Sequence, residues 1–299
     1  MEKIIVININ NMKKPRRTLY HYTSLSSFFS IVSNIKTTEK EENLNLWATH
    51  IDYFNDPSEY TILYDACCEM FSSKQSKDNS KNSSSIESII ERNEIDKPFI
   101  FSLSEKCDSL YMWQNYSENG QGVCLGFDED KLKSNKDSGF ELKRCKYFSK
   151  PKILKSLNEI YGNQMYKLVL KSPEIMLHPL QKIDVKGDKL FINTKVLNSL
   201  LDNEAEVYKH FAYKHEKEHR IVAKRKIQEI NFRVRNNIII PYITICIPTD
   251  CINEIYIGPC ANMETTQNSI EQLFKNIKSN NNAFPDIEIK TSRVPYRVA

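Results

Sequence analysis

The chain alternates between short apolar runs of strand length and longer polar stretches. Thr18 to Tyr22 is aromatic and β-branched, which is strand composition. A serine-rich turn follows, and then Leu25, Phe28, Phe29, Ile31 and Val32 recur at helical spacing. Farther on, Phe99 to Ser104 and the run "GVCLGF" read as strands. They flank "DSLYMWQNYSENGQG", a short helix with Asp108 or Ser109 as its N-cap. Residues 152–210 are mostly helical in pattern. After them "HRIVAKRK", "IIIPYITICIP" and "NEIYIGP" read as strands, "METTQNSIEQLFKNIKS" as a helix with a threonine cap, and "IEIKTSRV" as a closing strand. The first residues, "MEKIIVININ", read as another short strand. Strands gather toward both ends with helices between and around them, so the pattern predicts an α+β fold rather than a regular alternation.

Residues 72–88 are polar and nearly free of apolar side chains, a composition too poor in buried surface to offset ordering entropy. With no internal repeat in view, the expectation is a single domain over 1–299 carrying a mobile polar insertion at about 72–97 and a helical insertion at about 152–210.

Composition narrows the class. The 299 residues are 40% hydrophobic and 27% charged, which is ordinary for a globular protein, and the net charge of +4 is too small to imply a nucleic-acid partner. No apolar run has the length of a membrane span, so no membrane partner is expected. The start lacks the apolar core of a secretory signal. Eight scattered cysteines include no CxxC pair, which fits a reducing cytoplasm and argues against a zinc ribbon. With only seven glycines there is neither a P-loop nor a GxGxxG fingerprint.

Four stretches carry chemistry: "HYT" at 21–23, "LWATHIDYFNDPSE" at 46–59, "MWQNY" at 112–116 and "HEKEHR" at 215–220. The last satisfies HExxH. On a helix, His215 and His219 would share a face for zinc with Glu216 as general base, although a third ligand at a convincing spacing is missing and only Glu229 or Glu254 offers one. As a strand, the same residues would aim Glu216, Glu218 and Arg220 one way and the histidines the other. The strand is the preferred reading, since "RIVA" continues it, and no metal is expected. Two carboxylates on one face, with an arginine beside them, suit stabilisation of an oxocarbenium-like transition state. Asn55-Asp56-Pro57 with Glu59 has the form of a capped turn into a helix. Trp113 is a candidate stacking platform or a core residue; Gln114 and Tyr116 are candidate pocket liners. The basic run at 209–235 reads as a solvated face that could also attract a pyrophosphate.

Taken together, "LYHYTSLSSFFSIV", "LWATHIDYFNDPSE", "FIFSLSE", "MWQNYSENGQGVCLGF" and "HEKEHRIV" resemble a widespread bacterial family of initially unknown function, over about residues 18–260. That family shares HYT, NDPxE, a tryptophan near an FS strand and ExExR, and in turn resembles the ADP-ribosyltransferase superfamily. The resemblance implies a split mixed or antiparallel β-sheet core with flanking helices. It also implies NAD as the substrate and cleavage of the nicotinamide–ribose bond, by a transferase or an NAD glycohydrolase. His21 would bind a ribose hydroxyl; Tyr22 and Thr23 would offer backbone groups to the nicotinamide amide. The aromatic place falls near Trp47, with Tyr53 or Tyr60 as less favoured occupants, and Trp113 and Arg220 complete the cofactor-binding set. Glu218 would be the catalytic glutamate and Glu216 the first carboxylate of the pair. A cytoplasmic toxin or phage-defence effector is the implied role. Its acceptor would be protein, nucleic acid or water, and a regulatory partner protein is part of the expectation. The alternatives are an HExxH zinc hydrolase and a non-catalytic binding or interaction module.

Overall fold

The computed structural model describes residues 17–37, 42–66, 69, 97–135, 139–149, 202–224, 227–235, 237–259, 262–280 and 284–296. The expected strand at the N-terminus, the polar stretch at 72–88 and nearly all of the helical insertion lie outside these residues. What is described is a mixed α+β fold built on one 11-stranded, mostly antiparallel sheet.

β1 (Thr18–Thr23) leads through Ser24 into α1 (Leu25–Ser33). The Ser24 hydroxyl caps this helix by accepting from the Ser27 amide. β2 (Lys36–Thr37) and β3 (Glu42–His50) follow, then β4 (Phe99–Ser104), α2 (Leu110–Tyr116), β5 (Val123–Asp128) and α3 (Glu129–Ser134). β6 (Glu141–Arg144), β7 (Lys146–Phe148), β8 (Tyr208–His210) and β9 (Glu218–Ala223) come next, β7 and β8 pairing as a separate two-stranded sheet. β10 (Asn231–Arg235), β11 (Ile238–Pro248) and β12 (Ile252–Ile257) lead to the long α4 (Met263–Asn280) and to β13 (Glu288–Thr291).

Strand alternation sorts the apolar residues onto two faces. On one, Leu19, Leu103, Phe101, Leu125, Phe127, Ile221 and Ile245 pack with Phe28 and Val32 of α1 and with Ile270 and Phe274 of α4. On the other, Tyr22 and Cys124 pack with Met112 and Trp113 of α2. Each side chain fully buried this way contributes roughly 1.5–3 kcal/mol.

The feature that positions the site is the treatment of β4. One edge pairs with β9 along its whole length, from Phe99 opposite Ala223 to Ser104 opposite Glu218. The other edge is shared end to end. β3 meets it at Phe99 and Ile100, β1 meets it at Ser104, and Phe101 to Leu103 have no ladder partner there among the described residues. The sheet therefore divides into a β10–β11–β3 wing and a β1–β5–β12–β13 wing, both hung on β4.

Two local expectations change. Tyr208–His210, inside the stretch of helical pattern, is a strand that pairs in parallel with β7. The turn at Asp56 does lead into a helix, but Asp56 accepts from the Ser58 amide and hydroxyl, residues 57–61 remain a turn, and the helix begins at Ile62 rather than at Pro57. Backbone pairing and the buried surroundings of this region override local propensity.

Candidate functional site

On the face of β4 that carries Ser102 and Ser104, β9 contributes Glu218 and Arg220. Arg220 is completely buried and its donors are engaged: Nε and Nη2 grip the Glu218 carboxylate at 3.0 and 3.1 Å, Nη1 donates to the Glu206 carbonyl at 2.8 Å, and Nη2 also donates to Glu59. Lys209 from β8 reaches three carboxylates at once, Glu216 at 2.6 Å, Glu218 at 2.9 Å and Glu59 at 3.1 Å. The Ser102 hydroxyl donates to Glu218 at 2.6 Å. The hydroxyls of Tyr111 and Tyr116 donate to Glu216. Tyr213 lays its ring under the Lys209 ammonium, 4.9 Å from it.

Three carboxylates thus face two cations inside the protein. Burial alone would raise the Glu218 carboxyl, but Arg220 and Lys209 outweigh it and hold the group ionised, well below the usual carboxylate range. For Glu59 burial wins over the same two cations and the carboxyl is pushed up. Lys209 resists its own burial because Glu218, Glu59 and Glu216 surround it, and its ammonium is held above the ordinary lysine range. Glu218 itself is only 3% exposed.

His21 stands at the division of the sheet. Its Nδ1 lies 2.9 Å from the Ser102 carbonyl and its ring stacks on Phe101, 4.1 Å between centroids. A carbonyl only accepts, so Nδ1 carries the proton and Nε2 is left as an acceptor. Burial lowers the imidazole to about 4, with the nearby Arg233 charge adding to it and the Ser102 bond opposing it. His21 is thus linked to Glu218 through the two polar ends of Ser102. The two side chains do not share one cleft, however: Phe101 and Ser102 point to opposite faces of β4, and His21 goes with the first while Glu218 goes with the second.

Other expected site residues fall in different places. Glu216 is not on the strand, which begins at Glu218. It ends a 3-10 helix over Phe211–Glu216, and Lys217, at φ 44°, turns the chain so that both carboxylates still reach Lys209. The same break rules out HExxH on one helix. His215 sits in the 3-10 turn, whereas His219 is on β9, on the face opposite Glu218. Among the described residues no group of three or more His, Cys, Asp and Glu side chains is placed to hold a metal ion.

Trp113 is 0% exposed, stands edge-on to Tyr22 and donates its Nε1 to Asp108, so it is a core residue with no face left for a ligand. Arg220 likewise belongs to the buried cluster and not to a ligand-facing surface. Tyr22 is buried with its hydroxyl donating to the Lys106 carbonyl, and the Tyr22–Thr23 backbone runs beside Cys124 and Val123 of β5. Trp47, 37% exposed on β3, faces Tyr242 and Arg233, and the exposed Tyr53 stands edge-on to His50. Tyr60 is buried, with its hydroxyl on Asp202.

The stretch that holds most of this cluster also carries a family likeness. Residues 112–221 match the model of a family described as a protein of unknown function (DUF2971). The DUF2971 match takes in Tyr116, Lys209, Glu216, Glu218 and Arg220, and leaves His21 and Glu59 outside. No curated protein and no solved structure matches the chain.

Sequence reasoning missed Lys209, Ser102 and Tyr147, whose hydroxyl oxygen accepts from the Glu218 amide. Lys209 was hidden in a helical pattern. Ser102 had a signal, being the polar alternate of Phe99, Phe101 and Leu103 in "FIFSLS".

Proposed function

We propose that the protein is an NAD-dependent ADP-ribosyltransferase or NAD glycohydrolase of the cytoplasm, acting as a bacterial toxin or phage-defence effector. The motif order supports this reading, and one observation carries it. His21 keeps Nε2 free to accept from a ribose hydroxyl, and the residue that fixes this tautomer, Ser102, also holds Glu218. Two groups far apart in sequence are joined by one serine at the division of the sheet. The ribose would enter that division against the part of β4 that has no ladder partner there among the described residues, meeting His21 on one face, with Ser102 linking through to Glu218 on the other. Glu218 would stabilise the cation that develops as nicotinamide leaves. Lys209 covers it in this conformation, so turnover requires the lysine to swing away. Protein, nucleic acid or water would accept the ADP-ribose, and a partner protein would control the release.

The test is incubation with labelled NAD and cell extract, followed by separation of protein and nucleic-acid fractions. Glu218→Gln should abolish turnover and leave NAD affinity within a few-fold, because the charge counts most in the transition state. Undiminished turnover in that variant would remove Glu218 from the chemistry. A second reading, a non-catalytic module in which His21 and the two glutamates serve only the fold, is favoured by the closure of the buried cluster around Arg220. Under it, titration with NAD gives no binding and Glu218→Gln changes only the melting temperature.

A further inference from the structure

Arg233 is a charge without a counterion among the described residues. It lies on β10 opposite Ile240, half-buried, and makes no ion pair among the described residues. Its guanidinium carbon stands over the rings of Trp47 and Tyr242, 5.4 and 5.5 Å from their centroids, and those rings lie 4.9 Å apart. Nη2 donates to the Thr49 hydroxyl at 2.7 Å. Nε is buried and has no partner. An orphaned donor of this kind is costly to bury, more so when it belongs to a charged group. An incoming acceptor oxygen removes that cost. Burial and the neighbouring Arg235 both press the guanidinium toward deprotonation, and only Tyr242 opposes them.

The place adds meaning to the charge. Thr49 is paired with Ile100, where β3 meets β4 just before the sheet divides, so Arg233 is anchored at the lip of the division that His21 occupies from the β1 side. Arg235 is two residues along the same strand and therefore on the same face. Two guanidinium groups on one face, one set over a pair of aromatic rings and bonded to Thr49, suit an anion with more than one charge. Trp47 keeps part of its ring open beside them.

We propose that Arg233, clamped by Trp47, Tyr242 and Thr49, is an anion site that takes the diphosphate of an adenine nucleotide, with the heterocycle against the open part of Trp47. The choice of a dinucleotide as the natural ligand rests on the NAD reading; the phosphate site stands on Arg233 itself.

Calorimetric titration of the full-length chain with ADP, inorganic pyrophosphate and nicotinamide riboside tests it. The wild type should bind ADP and pyrophosphate. Arg233→Ala should raise both dissociation constants about tenfold or more, the loss of one charge-assisted contact, and leave nicotinamide riboside unchanged. Arg233→Lys, which keeps the charge and loses the fork, should fall between. It also serves if the alanine variant melts too early to titrate. Failure of ADP to bind the wild type at millimolar concentration, or equal ADP affinity in folded Arg233→Ala, overturns the site. The two proposals separate cleanly. ADP binding that depends on Arg233 without NAD cleavage keeps the site and removes the NAD reading. NAD cleavage with an unchanged KM in Arg233→Ala does the opposite.

Discussion

Lys209 is the residue on which the cluster depends. Among the described residues its ammonium is the one contact common to Glu59, Glu216 and Glu218, and all four side chains are nearly sealed from water. Removing one partner from a buried ion network leaves uncompensated charge, which costs about 3–5 kcal/mol. Lys209→Met should therefore lower unfolding stability by about that amount in a denaturant melt. Adding Glu59→Gln should recover part of it, since burial already pushes the Glu59 carboxyl up and its charge is the least welcome of the three. Equal loss in the single and double variants would mean that Glu59 and Lys209 are not coupled. His21 gives a pH prediction of definite sign. Its folded-state value is lowered to about 4 from 6.5, so between those values the unfolded chain takes up a proton that the folded chain refuses. Stability from this group is full above pH 6.5 and is lost as pH falls toward 4. His21→Asn, which keeps a donor for the Ser102 carbonyl and does not titrate, should lose less melting temperature than wild type between pH 7 and pH 4.5. The reverse order would show His21 charged in the fold.

At the scale of elements, the junction between the 3-10 turn and β9 decides where the two glutamates go. Alternation along a continuous strand would have aimed Glu216 and Glu218 the same way. The chain instead turns at Lys217, whose φ of 44° and ψ of 50° lie in the left-handed region, and its amide donates to the Lys214 carbonyl. That conformation costs a residue with a side chain about 1–2 kcal/mol. Lys217→Gly removes the strain and loosens the unfolded chain, so stability should change by no more than about 1 kcal/mol. Lys217→Pro cannot adopt the angle and loses the amide, and it should cost about 3 kcal/mol or more while pulling Glu216 from Lys209. A thermal melt of the two variants checks the contrast; similar losses in both would show that the backbone angle is not what holds the junction.

For the whole molecule, the division of the sheet matters more than any strand. Strand positions for β1, β4, β5, β9, β11 and β12 were legible because each pairs an apolar run with turn residues at its ends, and that period is a property of the local chain. So were α1 and α4, from their helical spacing. The pairing of Glu218 with Arg220 was legible too, since residues two apart on a strand share a face. Lys209 was not, because Tyr208–His210 becomes a strand only by pairing with Lys146–Phe148, residues its own neighbours cannot announce. Trp113 could be a platform or a core residue by its sequence, and packing against Tyr22 and Cys124 makes it core. Local pattern alone thus determined most of these strands, the helices α1 and α4, and the shared face of Glu218 and Arg220. The partners of β4, the meeting of His21 with Ser102, and the isolation of Arg233 among aromatic rings were decided by long-range contacts. Those depend on the closing of the whole sheet, and no stretch of sequence by itself encodes them.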